Sequence, residues 1–99
     1  MEMKPNTYYF NLLKANKLIL ENKYGITRIG IFGSVARGEH KDNSDVDICV
    51  DMKKPDLFLL IGARDELQKI FKCKVDIVRI RENMNPFLLK TIKNTAIYA

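Results

Sequence analysis

Hydrophobic residues recur along this chain in two rhythms. Over residues 6–23, Tyr9, Leu12, Leu13, Ile19 and Leu20 fall at helical spacing, with Asn16 as a polar interruption, and this predicts an amphipathic helix. Gly25 stands just past that helix, where a left-handed residue ends a helix at little cost. Over residues 28–32 the period shortens to two, with Ile29 and Ile31 on one face, and the segment reads as a short strand ending in Gly33-Ser34. Residues 37–43 are polar and predict a turn of helix followed by a loop. Residues 46–51 alternate cleanly: Val46, Ile48 and Val50 face one way, and Asp47, Cys49 and Asp51 the other, with Asp45 just ahead in step with them.

Pro55-Asp56 opens a second long helix that runs to Phe71, with Leu59, Leu60, Ala63, Leu67 and Ile70 as its buried stripe. Residues 74–80 form a third strand. Pro86 starts a last helix, with Phe87, Leu88, Leu89 and Ile92 as apolar contacts; it stops near Asn94 and leaves residues 96–99 as a short tail. This order predicts an α/β fold: a small mixed sheet of about three strands covered by helices on one side. At 99 residues the chain is expected to form a single domain, residues 1–99.

Composition narrows the picture modestly. The chain is 46% hydrophobic and 29% charged, ordinary for a globular protein. No apolar run approaches the ~20 residues of a membrane helix, and the first six residues lack a basic-then-apolar signal pattern. A cytoplasmic location is expected, with no membrane partner. Cys49 and Cys73 form no CxxC motif and have no histidine cluster beside them, so two thiols are expected rather than a zinc site. The net charge of +5 suits an anionic substrate such as a triphosphate, an acidic protein or nucleic acid. The lysines are scattered, with no arginine-rich tract and no interleaving of aromatic and basic residues, so direct nucleic-acid binding is not expected.

The chemistry concentrates in Gly33-Ser34-Val35-Ala36-Arg37-Gly38, followed by Ser44-Asp45-Val46-Asp47. Residues two apart on a strand point the same way, so Asp45 and Asp47 are expected on one face. Carboxylates that close repel each other unless a cation joins them. Mg²⁺ takes hard oxygen ligands and binds through one or two carboxylates plus substrate phosphates; two such ions can clamp the attacking and leaving oxygens of a phosphoryl displacement. Gly33 and Ser34 sit where a strand is expected to turn into a helix, a place that offers backbone N–H groups to a phosphate. Arg37, and more weakly Lys41, can neutralise the triphosphate or the departing pyrophosphate. Asp76 lies among Val75, Ile77 and Val78. An acid in an apolar strand calls for a reason, and a carboxylate triad that also accepts the acceptor's proton supplies one. The bland alternatives are an edge acid for Asp76 and a loop position for His40. Asp51 is placed beyond the metals, Ser44 in the loop, and Tyr8, Tyr9 and Phe10 in the core.

At these residues the chain resembles the nucleotidyltransferase superfamily that includes DNA polymerase β. It is most similar to the minimal nucleotidyltransferases found in prokaryotes beside HEPN-domain proteins. Ile31-Phe32-Gly33-Ser34-Val35-Ala36-Arg37-Gly38 and Ser44-Asp45-Val46-Asp47 carry the likeness. The resemblance implies metal ligation by Asp45, Asp47 and Asp76, triphosphate binding by Gly33 and Ser34, and ATP as donor. It also implies an antitoxin that adenylylates a HEPN toxin, with a tyrosine favoured as acceptor. Two other readings stay open: an antitoxin that masks its toxin by contact alone, and a nucleotidyltransferase for a small-molecule or nucleic-acid hydroxyl.

Overall fold

A computed structural model of the chain describes residues 6–39 and 45–99. Its elements are α1 (Asn6–Tyr24), β1 (Ile26–Phe32), β2 (Val46–Met52), α2 (Leu57–Phe71), β3 (Val75–Arg79), α3 (Pro86–Thr95) and β4 (Ile97–Tyr98). The strands form one mixed sheet in the order β3-β2-β1-β4. β1 runs antiparallel to both β2 and β4, whereas β2 and β3 are parallel. Parallel neighbours need a crossover between them, and α2 supplies it.

Alternation on the strands divides the core in two. Ile29, Ile31, Val46, Ile48 and Val50 point to the face covered by α1 and α2, where they meet Leu13, Leu20, Ala63, Leu67 and Phe71. Phe32 and Cys49 point to the opposite face and pack against Met84 and Ile92. Among the described residues α1 and α2 thus give the one-sided cover that the sequence predicts, and α3 departs from it by lying on the other face. The polar positions of β2 and β3 also face that second side, so α3 comes to stand beside Asp47 and Asp76.

α1 runs one residue beyond its predicted end. Its buried stripe is Tyr9, Leu13, Leu20 and Tyr24, whereas Ile19, expected inside, is 58% exposed. Adjacent residues on a helix diverge by a large angle, so once Leu20 is seated in the core Ile19 is turned out. Tyr9 meets Phe71 edge-on at 5.4 Å, and Tyr8 meets Tyr9 likewise at 5.0 Å, which places this aromatic pair in packing. The Tyr24 hydroxyl donates to Glu66 Oε1 at 2.7 Å, and Lys23 Nζ donates to the same oxygen at 2.8 Å. Those bonds, Lys23's first, hold the Glu66 carboxyl below its usual range.

Helix ends are set locally. The Asp56 carboxylate accepts from Leu59 N at 3.1 Å, and Asn85 Oδ1 accepts from Phe87 N and Leu88 N at 2.9 and 3.1 Å, just before Pro86 at the first turn. Each cap is worth about 1 kcal/mol.

The tail is the main departure from the sequence reading. Ile97 and Tyr98 form a fourth strand that pairs with Ile31 and Gly30 of β1, and Ala99 N donates to Ile29 O at 3.0 Å. The Tyr98 ring crosses Gly30 so closely that a Cβ there would stand 2.8 Å from it. The Arg28 guanidinium lies 4.6 Å from the centre of the same ring, a cation–π distance. Both cysteines are thiols, Cys49 buried and Cys73 half-buried. No helix among the described residues is long and apolar enough to cross a membrane.

Candidate active site

β1 ends at Phe32, and the chain then turns sharply. Gly33 has a φ of +71°, a left-handed conformation that glycine adopts without strain. A side chain here is excluded for a second reason: a Cβ on Gly33 would strike the Asp47 carboxylate. The turn is closed by Arg37 N donating to Gly33 O at 3.1 Å, Gly38 N to Val35 O at 3.0 Å and Glu39 N to Ser34 O at 2.8 Å. The sequence predicts a strand running into a helix here. The structure has a tight turn instead, because residues 33–38 close on themselves and Gly38, at φ +73°, leads the chain away.

Asp47 sits on β2 directly across from Asp76 on β3 in the parallel register. Neighbouring strands lie about 4.8 Å apart, and residues paired in register project to the same face, so the two carboxylates are near neighbours. Together with Gly33, Ser34 and Arg37 they line a cleft of about 420 Å³. That volume lies within the usual range for a small-molecule site. The opposite wall comes from α3: Phe87, Leu88 and Thr91.

Other expected residues stand apart from this group. Asp45 lies one residue ahead of β2, so strand alternation does not bind it to the face of Asp47. It lines an adjoining groove of about 270 Å³ with Leu57, Ile61, Arg64 and Lys74, and Asp76 borders both spaces. Among the described residues, no group of three His, Cys, Asp or Glu side chains is gathered closely enough to hold a metal ion. Arg37 reaches the cleft while pairing with Glu39 at 3.1 Å. Asp51 is at the far end of β2, 3.9 Å from Arg28, away from the cleft. Lys41, His40 and Ser44 lie outside the described residues.

Sequence reasoning missed the part played by α3. The Gly33 amide, expected to be open to a phosphate, donates instead to Thr95 Oγ1 at 3.1 Å. That hydroxyl in turn donates to Thr91 O at 2.7 Å, which directs its lone pairs at Gly33. The one sequence signal was the pair Thr91 and Thr95, four apart on one face of a helix that otherwise carries apolar residues there.

This arrangement unites a glycine-serine turn, an arginine and two facing carboxylates in one ligand-sized cleft. The chain matches the nucleotidyltransferase domain over residues 13–99. It belongs to the nucleotidyltransferase family. The enzyme is 37% identical over 97 residues to a candidate protein adenylyltransferase of Methanocaldococcus jannaschii, covering 97% of this chain and 99% of that one. It is 35% identical to the protein adenylyltransferase MntA of Thermococcus cleftensis, covering 89% of each. The fold of this nucleotidyltransferase superposes on a solved candidate minimal nucleotidyltransferase with a TM-score of 0.77 and 28% identity, covering 98% of both chains. A complex of tri-AMPylated Shewanella oneidensis HEPN toxin with MNT antitoxin shares the fold, with a TM-score of 0.63 and 22% identity over 90% of this chain and 68% of that one.

The donor set suits a hard divalent cation. Two carboxylates share one face, with space beside them for phosphate oxygens, which is how Mg²⁺ is commonly held.

Proposed function

We propose that this nucleotidyltransferase moves AMP from ATP to a hydroxyl on a partner protein, a tyrosine of a HEPN toxin, and so acts in the cytoplasm as an antitoxin. The observation that carries this reading is the single cleft joining Gly33, Ser34 and Arg37 to Asp47 and Asp76. The names of the adenylyltransferase relatives and of the HEPN–MNT complex support the choice of donor and acceptor.

In this reaction the acceptor oxygen bonds to the α-phosphorus, the bond from that phosphorus to the β-phosphate oxygen breaks, and pyrophosphate leaves. The acceptor proton passes to the Asp76 carboxylate, which is exposed at the rim of both spaces. Ser34 Oγ donates to a phosphate oxygen, and Gly33 keeps the turn close to the phosphates. Arg37 neutralises the leaving pyrophosphate, and Lys41 is assigned the same task. Asp47 and Asp76 would hold Mg²⁺; Asp45 would have to move in from the adjoining groove to serve as third ligand, and a second ion belongs to the same proposal. When bound, the metal neutralises charge that develops on the phosphate oxygens.

Phosphoryl transfer depends on holding the attacking oxygen in line, and the partner supplies that alignment. AMP on the partner adds a bulky anion that can block an RNA substrate. Co-expression with the cognate partner should yield partner molecules heavier by one or more AMP units, and Asp47→Asn should remove the added mass. Intact-protein mass spectrometry decides it. An unmodified partner that is nonetheless neutralised would mean an antitoxin acting by contact alone.

A further inference from the structure

We propose that Phe87 is the platform on which the base of the nucleotide stacks, an assignment that rests on the nucleotide-transferring reading of the cleft. Phe87 is 80% exposed. Among the described residues seven other large apolar side chains are also exposed, including Leu18 on α1, Phe58 on α2 and Ile97 on β4. None of these seven lines the cleft that holds the glycine-serine turn, whereas Phe87 does.

The backbone at this position is also anchored. Phe87 lies in the first turn of α3, after Pro86, and its backbone N–H donates to Asn85 Oδ1 at 2.9 Å. Its carbonyl accepts from Thr91 Oγ1 at 3.0 Å. With the backbone anchored in this way, only the two side-chain torsions remain to be ordered when a flat ligand settles on the ring.

The cleft combines polar and apolar linings. The turn, Arg37 and the carboxylates offer groups for phosphates and metal, whereas α3 offers Phe87 and Leu88 beside the Thr91 hydroxyl, and Phe32 adds an apolar contact next to the turn. A nucleoside triphosphate combines the same two characters: an anionic chain at one end and a flat π-face at the other. Placing the phosphates against Gly33 and Ser34 leaves the base to α3. Stacking on an aromatic ring accepts any base, so Phe87 strengthens binding without choosing among purines.

The test separates the base from the phosphates by using ATP and inorganic tripolyphosphate, each with Mg²⁺, as probes. Phe87→Ala should weaken ATP binding about 10- to 100-fold, the usual range for one base on one aromatic ring, and leave tripolyphosphate binding unchanged. The wild-type chain has no tryptophan, so Phe87→Trp introduces a single reporter whose fluorescence ATP should quench and tripolyphosphate should not. Wild-type ATP affinity in Phe87→Ala, with the loss falling only on the KM for the partner protein, would overturn the assignment and make Phe87 a partner contact. A wild-type chain that binds neither probe would overturn the nucleotide reading beneath it as well.

Discussion

The backbone amide of Gly33 donates to the side-chain hydroxyl of Thr95, 62 positions later in the chain. One end of a surface helix thereby fixes the peptide that opens the glycine-serine turn. Gly33 is buried, so its amide cannot turn to water instead. Thr95→Val keeps the side-chain shape and removes the acceptor. It should cost about 1–3 kcal/mol in urea unfolding, the usual penalty for an orphaned buried donor, and raise the KM for ATP by roughly tenfold for each 1.4 kcal/mol lost from the bound state. Thr95→Ser should restore both. Equal behaviour of the valine and serine variants would remove the hydroxyl from the account.

Asp47 and Asp76 face each other across two parallel strands, yet different losses are expected from them. Mg²⁺ with ATP should raise the melting temperature of the wild-type chain, since a ligand confined to the folded state stabilises it by mass action. Asp47→Asn should abolish that gain. Asp76→Asn should keep most of it and lower transfer by about 10²- to 10⁴-fold, the scale of a missing general base. Scanning calorimetry beside a labelled-ATP transfer assay checks both halves; full transfer by Asp76→Asn would return that residue to the status of an exposed edge acid.

Burial pushes the Cys49 thiol from 9.0 up to about 11. The folded state therefore favours the neutral thiol more than the unfolded chain does. That contribution to stability is fully present below pH 9 and is lost as the pH rises through 11. At pH 8, a chromogenic disulfide reagent should titrate half-buried Cys73 promptly in the native protein and reach Cys49 only after denaturation. Two thiols reacting at equal speed would contradict the burial of Cys49.

Much of the fold was legible in the sequence because its signals are local. The alternation of Val46, Ile48 and Val50 against Asp47 and Cys49 reappears as two faces with separate cores. The Pro-Asp and Asn-Pro pairs mark both capped helix starts. β4 was not legible: two residues carry no periodicity, and only their pairing with β1 makes them a strand. For the same reason the α3 wall of the cleft escaped notice. Nothing near Phe87, Thr91 or Thr95 in the sequence refers to Gly33, and their role exists only once the chain has folded back. Asp45 and Asp47 look equivalent in the sequence, yet β2 starts between them, and the rule that would align them stops one residue short.

The long separation between Gly33 and Thr95 also orders the assembly of the site in time. A chain emerging from its N-terminus can pair β1 with β2, cross through α2 and add β3 while α3 is still missing. The acidic face then already exists, but the wall bearing Phe87 and the bond that steadies the turn do not. Contacts between distant segments carry the largest loop-closure cost and form late. A nascent nucleotidyltransferase therefore gains its facing carboxylates before α3 closes the cleft beside them.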